Sequence, residues 1–468
     1  MAWIGGREMS PATVLRSGFN AKTAPGPEAT FDVRGVLDAY RDPLTRLFDL
    51  QTRYGDVVRV RFGWLQYFLI NDPEGVRHVL VENHRAYKKS RNYDGLRHLL
   101  GNGLLTSEGE AWRQQRKLAQ PAFHRERLAG FAAVMARCTE DLLERWSRAD
   151  AGKPVDLHRE MMRLTFRVVG LTLLSAELDG EAKAFGDALN VALEWGNQYV
   201  ESLVRIPLWV PTRSNLRFRQ ARRVIDDLVL RIIAERRALG EAGDDLLGML
   251  MSARGDDGQP GMSDQQLRDE LVTLVLAGHE TTANALSFTL YLLSRHPMVR
   301  ARVEQEVAEV LGGRAPTWSE LPRLGYVTRV IEESMRLYPP AWIIERDALE
   351  DDVVAGYRVP KGATVGFPAY TLHRHPEYWS NPEGFDPDRF DPALAATRPK
   401  HAYLPFGGGP RTCIGNAFAM MEMQVILPMI VQRFRLDLAP GFRLELDPSI
   451  TLRPKRGIPV KISERSAH

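Results

Sequence analysis

Two cysteines, Cys138 and Cys413, are too few for a disulfide framework. That excludes the small cross-linked secreted domains and makes the cytoplasm the expected compartment. Excess charge is missing too. The net charge is +3 over 468 residues, so nucleic-acid binding is not suggested. Long apolar runs are absent from the first residues, MAWIGGREMSPATVLRSGF, which hold neither a bilayer span nor the apolar segment of a signal peptide. No membrane anchor is expected. No repeat, low-complexity tract or linker divides the chain. Length alone suggests two or three domains, but without a linker the expectation is an irregular arm over 1–30 and a single domain over 31–468. A monomer is expected.

What is present concentrates in Pro405–Ala419, which reads PFGGGPRTCIGNAFA. Gly407, Gly408 and Gly409 permit positive φ and close approach to the backbone. Cys413 follows, just before a predicted helix over Asn416–Gln424. The positive end of that helix, with Arg411 two residues before the sulfur, favours a thiolate. A lone cysteine is more often core packing. Three glycines and an arginine argue instead for a sulfur presented to a ligand.

Along the rest of the chain, Asp32–Tyr54 reads as helix and Val57–Phe62 with Tyr67–Ile70 as a strand pair. Pro73 opens a helix, and Asn83–Gly103 is irregular, basic and aromatic. Ser107–Phe123 holds Trp112 and Arg116, four apart on one helix face and suited together to a carboxylate, although the pattern is common on amphipathic helices. Arg125–Leu239 is helical, broken near Gly180 and at Ile206–Pro211. Met262–Ser294 is the longest helical pattern, opened by a Ser263/Gln266 capping box. In its middle lies Ala277-Gly278-His279-Glu280-Thr281-Thr282, where a glycine costs about 1 kcal/mol relative to alanine. Thr281 there is placed to bond the Ala277 carbonyl and bend the helix; His279 is given no chemistry. Tyr326–Tyr338 is a helix bearing Glu333 and Arg336. Val353–Pro368 and Leu444–Ile462 read as short strands.

The run Phe406-x-x-Gly409-x-Arg411-x-Cys413-x-Gly415 resembles the heme-binding signature of the cytochrome P450 family, the heme-thiolate monooxygenases, at every signature position. The resemblance implies a mainly α fold with small β-sheets and a single heme domain. It implies heme b (iron protoporphyrin IX), with Cys413 as the axial iron ligand, Arg411 binding a propionate, and Phe406 and Gly415 as further heme-binding positions of the signature. Trp112 and Arg116 match the family's propionate-binding pair, and Arg346 another propionate arginine. Ala277 and Gly278 would line the face near iron. Thr281 would supply the hydroxyl, and Glu280 the acid, of oxygen activation. Glu333, Arg336 and Arg389 would form a structural network. Ala341, Trp342, Ile343, Ile450 and Thr451 would border the substrate, with Trp195, Tyr199 and Trp209 as further apolar lining.

The implied reaction takes O2, inserts one oxygen atom into a C–H or C=C bond and releases the other as water. The chain shows no flavin or iron–sulfur segment, so electrons from NAD(P)H are expected through a separate ferredoxin or flavodoxin. That donor would be drawn to Arg113, Lys117, Arg125, Arg398 and Lys400. Trp-rich candidate lining suggests an apolar small molecule of terpene, fatty acyl or polyketide type. A peroxide-dependent relative and a heme sensor or carrier are the alternatives. The Glu280–Thr281 pair speaks against the first and the lack of a segment for an output domain against the second.

Overall fold

The computed structural model of the chain describes residues 21–28, 41–148, 153–178, 180–202, 205–240, 245–253 and 261–465. Most of the expected N-terminal arm and residues 32–40 of the first expected helix lie outside them. The chain packs as two compact units. The smaller takes the described residues up to Ser90 with Ile343–Pro382 and Arg398–Thr412. The larger takes Arg91–Trp342, Glu383–Thr397 and the chain from Cys413 onward.

Local chemistry sets the element boundaries. Helix α1 (Pro43–Tyr54) starts where Asp42 Oδ1 accepts the Thr45 amide at 3.1 Å and proline fills the first turn. β1 (Val57–Phe62) and β2 (Leu65–Ile70) form a hairpin whose turn needs Gly63 at φ +59°. α2 (Pro73–Arg77) begins like α1, Asp72 accepting the Gly75 amide at 2.6 Å. β3 (Tyr87–Lys89) and α3 (Asp94–Leu100) order part of the stretch that the sequence left irregular. The helices α4 (Gly109–Ala119) and α5 (Arg125–Ser147) follow.

A break that the sequence reading lacked comes next. β4 (Val155–Asp156) interrupts the helical run because Asp156 turns its carboxylate onto the His158 and Arg159 amides and starts α6 (Leu157–Leu173). Then come α7 (Ala182–Glu201), α8 (Arg213–Leu239), α9 (Leu246–Ser252) and α10 (Asp264–Arg295). The Ser263/Gln266 box caps α10. α11 (Pro297–Leu311) and α12 (Gly325–Leu337) lead to β5 (Ile344–Ala348), β6 (Asp352–Val354), β7 (Tyr357–Val359) and β8 (Thr364–Phe367). After α13 (Asn416–Arg433) the chain closes with β9 (Phe434–Leu438), β10 (Leu446–Pro448), β11 (Leu452–Pro454) and β12 (Pro459–Glu464).

The smaller unit is built on a five-stranded sheet in the order β1-β2-β8-β5-β3, parallel only between β2 and β8. Phe68, Ile70, Val365 and Phe367 pack there with Val76, Val79 and Leu372. The larger unit is helical, and its axis is α10, against which α6, α8, α12 and α13 pack. A three-stranded sheet β4-β12-β9 and the β10–β11 ladder are its only sheets among the described residues. The result is mainly α with small sheets. No helix among the described residues is long and apolar enough to cross a membrane.

Candidate active site

The glycines before the cysteine have a packing reason. Gly407 and Gly409 take φ +73° and +66°, values that side chains resist. A Cβ on Gly409 would run into the carbonyl oxygen of Leu80. The loop therefore lies flush on the turn after α2, within the smaller unit. Thr412 Oγ1 ties it off by donating to Gly409 O at 2.7 Å. Phe406 and Arg411 are half-buried on this loop. Arg346 is buried on β5 of the same unit, donating to the Glu345 carbonyl at 2.8 Å.

Cys413 opens the last segment of the larger unit, with Gly415 as the N-cap of α13. It is solvent-accessible, yet desolvation pushes its thiol above the usual range. The Gly415 N–H and the charge of Arg116 pull the other way without prevailing. Against the expectation that the helix end and Arg411 favour a thiolate, burial outweighs the Gly415 N–H and Arg116. Coordination reverses this, since a metal-bound thiol is deprotonated outright. The nearby cation is Arg116 on α4, which burial lowers and the Cys413 sulfur raises. Arg116 and Trp112 are half-buried on α4 and line an open hollow of about 350 Å³ with Arg113, Lys117, Gln120, Pro121 and His124.

α10 shows where its own chemistry lies. Over its 32 residues the middle is almost continuously buried, but Ala277 is exposed and Gly278 and Thr281 are half-buried. Spacings of four and three residues from Thr281 put Ala277 and Gly278 on its face. Gly278 also has a neighbour: a Cβ there would come within 3.2 Å of Val169 on α6. Thr281 Oγ1 donates to Ala277 O at 2.6 Å, the bond anticipated from the sequence. His279 points into the core, edge-on to Phe166, and burial holds it neutral, its pKa pushed down to about 3.

Glu280 turns away from that face. It is 4% exposed. Its Oε1 accepts the Thr451 hydroxyl at 2.6 Å, and its Oε2 has no partner. Burial raises this carboxyl; the Thr451 bond and Arg453 lower it by less. Thr451, read from the sequence as a substrate neighbour, thus spends its hydroxyl proton on an acid. Its oxygen also accepts from Asn284 Nδ2 at 3.2 Å, and Asn284 Oδ1 meets His158 Nε2 at 2.8 Å. Asn284 could have been suspected from its i+4 spacing to Glu280. His158, on another helix, carries no sequence signal.

The remaining residues divide as follows. Glu333, Arg336 and Arg389 meet in the larger unit, with Arg336 Nε and Nη2 at 2.6 and 2.8 Å from the Glu333 carboxylate and Arg389 Nε at 3.3 Å. Ala341 and Trp342 lie in the larger unit and Ile343 in the smaller. Trp342 donates its indole N–H to Ser449 O at 2.8 Å, next to the half-buried Ile450. Two expected lining aromatics behave otherwise. Trp195 is buried, bonded to Asn215 and stacked between Tyr199 and Phe218, while Trp209 is 78% exposed.

An iron porphyrin fits what the larger unit presents. Cys413 is an accessible soft donor. The small-residue face of α10 leaves room for a flat group, and the Arg116 guanidinium near Cys413, with the Trp112 indole in the same hollow as Arg116, suits its carboxylates. Comparison with known proteins agrees. Residues 25–460 match the family model described as Cytochrome P450. Cyclooctatin synthase of Streptomyces melanosporofaciens is 39% identical, over 90% of this chain and 91% of its own. Cyclooctat-9-en-7-ol 5-monooxygenase of the same organism is 36% identical, over 94% and 95%. Pentalenene oxygenase of Streptomyces avermitilis is 35% identical, over 90% and 92%.

Proposed function

The chain belongs to the cytochrome P450 family, and we propose that it hydroxylates or epoxidises a terpene, with Cys413 as the axial ligand of its heme iron. It is a heme monooxygenase, using O2. The heme, when bound, supplies reductive O2 activation and oxygen insertion. The accessible Cys413 at the start of α13, in the same unit as the accessible face of α10, carries this reading.

In this reading Trp112 and Arg116 of the larger unit, and Arg346 and Arg411 of the smaller, would serve as propionate-binding residues, Phe406 and Gly415 would belong to the heme-binding signature, and Ala277 and Gly278 would leave room on α10. Both compact units belong to one heme domain in this reading, which the family match across them supports. Thr281 places a hydroxyl on that face. Its proton is committed to Ala277 O, so the hydroxyl accepts from a protonated group at once and donates only when that bond is released. Glu280 exchanges the proton behind it. Glu333, Arg336 and Arg389 hold the fold.

The relatives' printed names support a terpene: one acts on the alkenol cyclooctat-9-en-7-ol and one on pentalenene. Free cysteines fit a cytoplasmic protein. Electrons come from NAD(P)H through a ferredoxin or flavodoxin that docks on the exposed Arg113 and Lys117 of α4. Arg398 and Lys400 belong to the smaller unit, and the Arg125 side chain lies outside the described residues. Charge reversal at Arg113 and Lys117 slows reduction by an acidic ferredoxin and flattens its salt dependence; equal rates would place docking elsewhere.

The deciding experiment titrates the ferric protein with cyclic terpene alkenes and alcohols, follows the heme spectrum, and then measures product per NAD(P)H with ferredoxin and its reductase. Spectral shifts and oxygenated product from terpenes support the proposal. Shifts and turnover with fatty acids or polyketides but no terpene would overturn the substrate class.

A further inference from the structure

We infer that His158, Asn284 and Thr451 form a one-way chain of hydrogen-bond donors that orients the Glu280 carboxylate and leaves its second oxygen free for proton exchange. Each link is in place. His158 Nε2 reaches Asn284 Oδ1 at 2.8 Å, Asn284 Nδ2 donates to Thr451 Oγ1 at 3.2 Å, and Thr451 Oγ1 donates to Glu280 Oε1 at 2.6 Å. The hydroxyl of Thr451 has one proton, and Asn284 already supplies a donor to its oxygen, so that proton must point at Glu280. The amide of Asn284, in turn, requires an N–H on Nε2 of His158. Burial lowers the His158 pKa, which leaves the ring neutral with one proton to place.

The elements that supply these groups are far apart in sequence. His158 is in the first turn of α6, Asn284 is one turn beyond Glu280 on α10, and Thr451 is in the turn between β10 and β11. Other charges face the same place. Arg453 of β11 lowers Glu280 and is paired at 2.9 Å with Asp447 of β10, which raises it. Asp156 acts on His158 from the cap of α6, and His279 lies beside it on α10. None of these bonds the Glu280 carboxylate; among the described residues its only hydrogen-bond partner is Thr451.

A side-chain amide does not pass protons along readily, so Asn284 holds the chain's direction and the proton moves at Oε2. Thr451, Asn284 and His158 are therefore positioning residues. The arrangement has one alternative polarity. A proton held on Oε1 instead of Oε2 would reverse every bond: Glu280 would donate to Thr451, Thr451 to a flipped Asn284, and Asn284 to a His158 carrying its proton on Nδ1. The tautomer of His158 thus reports the direction in which the chain runs.

This role for the three residues rests on Glu280 serving oxygen activation, but its test needs no turnover. The carboxylic-acid C=O band of Glu280, identified by its loss in Glu280→Gln, is followed by infrared difference spectroscopy of the heme-loaded protein across pH. Thr451→Val removes a bond to the charged form and raises the protonation midpoint by about one pH unit or more. Thr451→Ser restores it. His158→Phe, in the half-buried first turn of α6, raises it less and serves also if Thr451→Val does not fold. An unmoved midpoint in Thr451→Val or in His158→Phe, or failure of Thr451→Ser to restore it, would overturn the chain. Nitrogen NMR of labelled histidine in the reduced, carbon-monoxide-bound protein supplies the second readout. At a pH where Glu280 is ionised it shows His158 protonated on Nε2; protonation on Nδ1 there contradicts the chain. Either failure would leave the heme-thiolate reading standing, because Cys413 takes no part in these measurements.

Discussion

Glu333 and Glu280 are both buried on helices of the larger unit, 0% and 4% exposed, and their surroundings are opposite. Glu333 is saturated. Arg336 grips both of its oxygens at 2.6 and 2.8 Å, the Asp386 amide donates to Oε1 at 2.9 Å, and Arg389 adds a second charge at 3.3 Å. Arg336 spends its other reach on Gly384 O at 2.9 Å, fastening the segment before Arg389 to α12. Glu280 has one neutral hydroxyl on one oxygen and nothing on the other. A carboxylate clamped by two guanidinium groups acts as a strut. A half-bound carboxylate whose pKa burial raises is placed to gain and lose a proton. Depth of burial says little about an acid's role; the count and charge of its donors say much more.

The largest effect is expected at the strut. Glu333→Gln leaves two buried guanidinium groups without a counter-charge and should cost about 3–5 kcal/mol of unfolding free energy. Denaturant unfolding at matched heme content measures it; a loss below about 1 kcal/mol would erase the distinction. Glu280→Gln should do the reverse. Stability holds, because the amide oxygen still accepts from Thr451, while product formed per NAD(P)H falls about a hundredfold through the lost proton exchange. Unchanged coupling would make Glu280 a second strut.

The candidate residues that share a local pattern were legible in the sequence. The Cys413 loop, the Ala277–Thr282 string and the Glu333/Arg336 spacing combine residue types that stability alone does not select, each within a few positions. Long-range partners were not. Gly409 is glycine because the Leu80 carbonyl lies against it, which no property of the loop reveals. Thr451 donates to an acid 171 positions away, a bond that no local pattern shows. Aromatic type does not report exposure, so Trp195 and Trp209 were grouped although one is core and the other surface. The break at Asp156 escaped notice because an N-cap aspartate inside a helical pattern resembles any exposed acid.

A third acid sharpens the comparison. Glu422 on α13 is fully buried, and neither oxygen has a partner. Burial raises its pKa well above the usual range. The folded state therefore binds a proton that the unfolded chain releases, and the stability held below the ordinary carboxylate range is lost as pH rises. Glu422→Leu should stabilise by about 2 kcal/mol at neutral pH and by less at pH ~5, where the unfolded chain is also partly protonated. A destabilised variant would mean that Glu422 has a bound partner in the working protein.

The smallest effect belongs to Glu270, one donor richer than Glu422. The Leu104 amide donates to it at 3.0 Å, and burial still pushes it up to about 7, with Asp269 adding to the rise. Its contribution is present at pH 4.5 and fades as pH climbs through about 7. The unfolding free energy of Glu270→Gln should show a shallower slope over that window than the unmodified protein. Identical slopes would remove Glu270 from the series.

The account as a whole stands on Cys413 as the heme ligand, and the absorption spectrum of the reduced protein under carbon monoxide tests that directly. The unmodified protein should show the red-shifted band diagnostic of a thiolate opposite the gas ligand. Cys413→His, which can still hold heme, should lose that band and the oxygenase activity together. A red-shifted band that survives in Cys413→His would contradict the account.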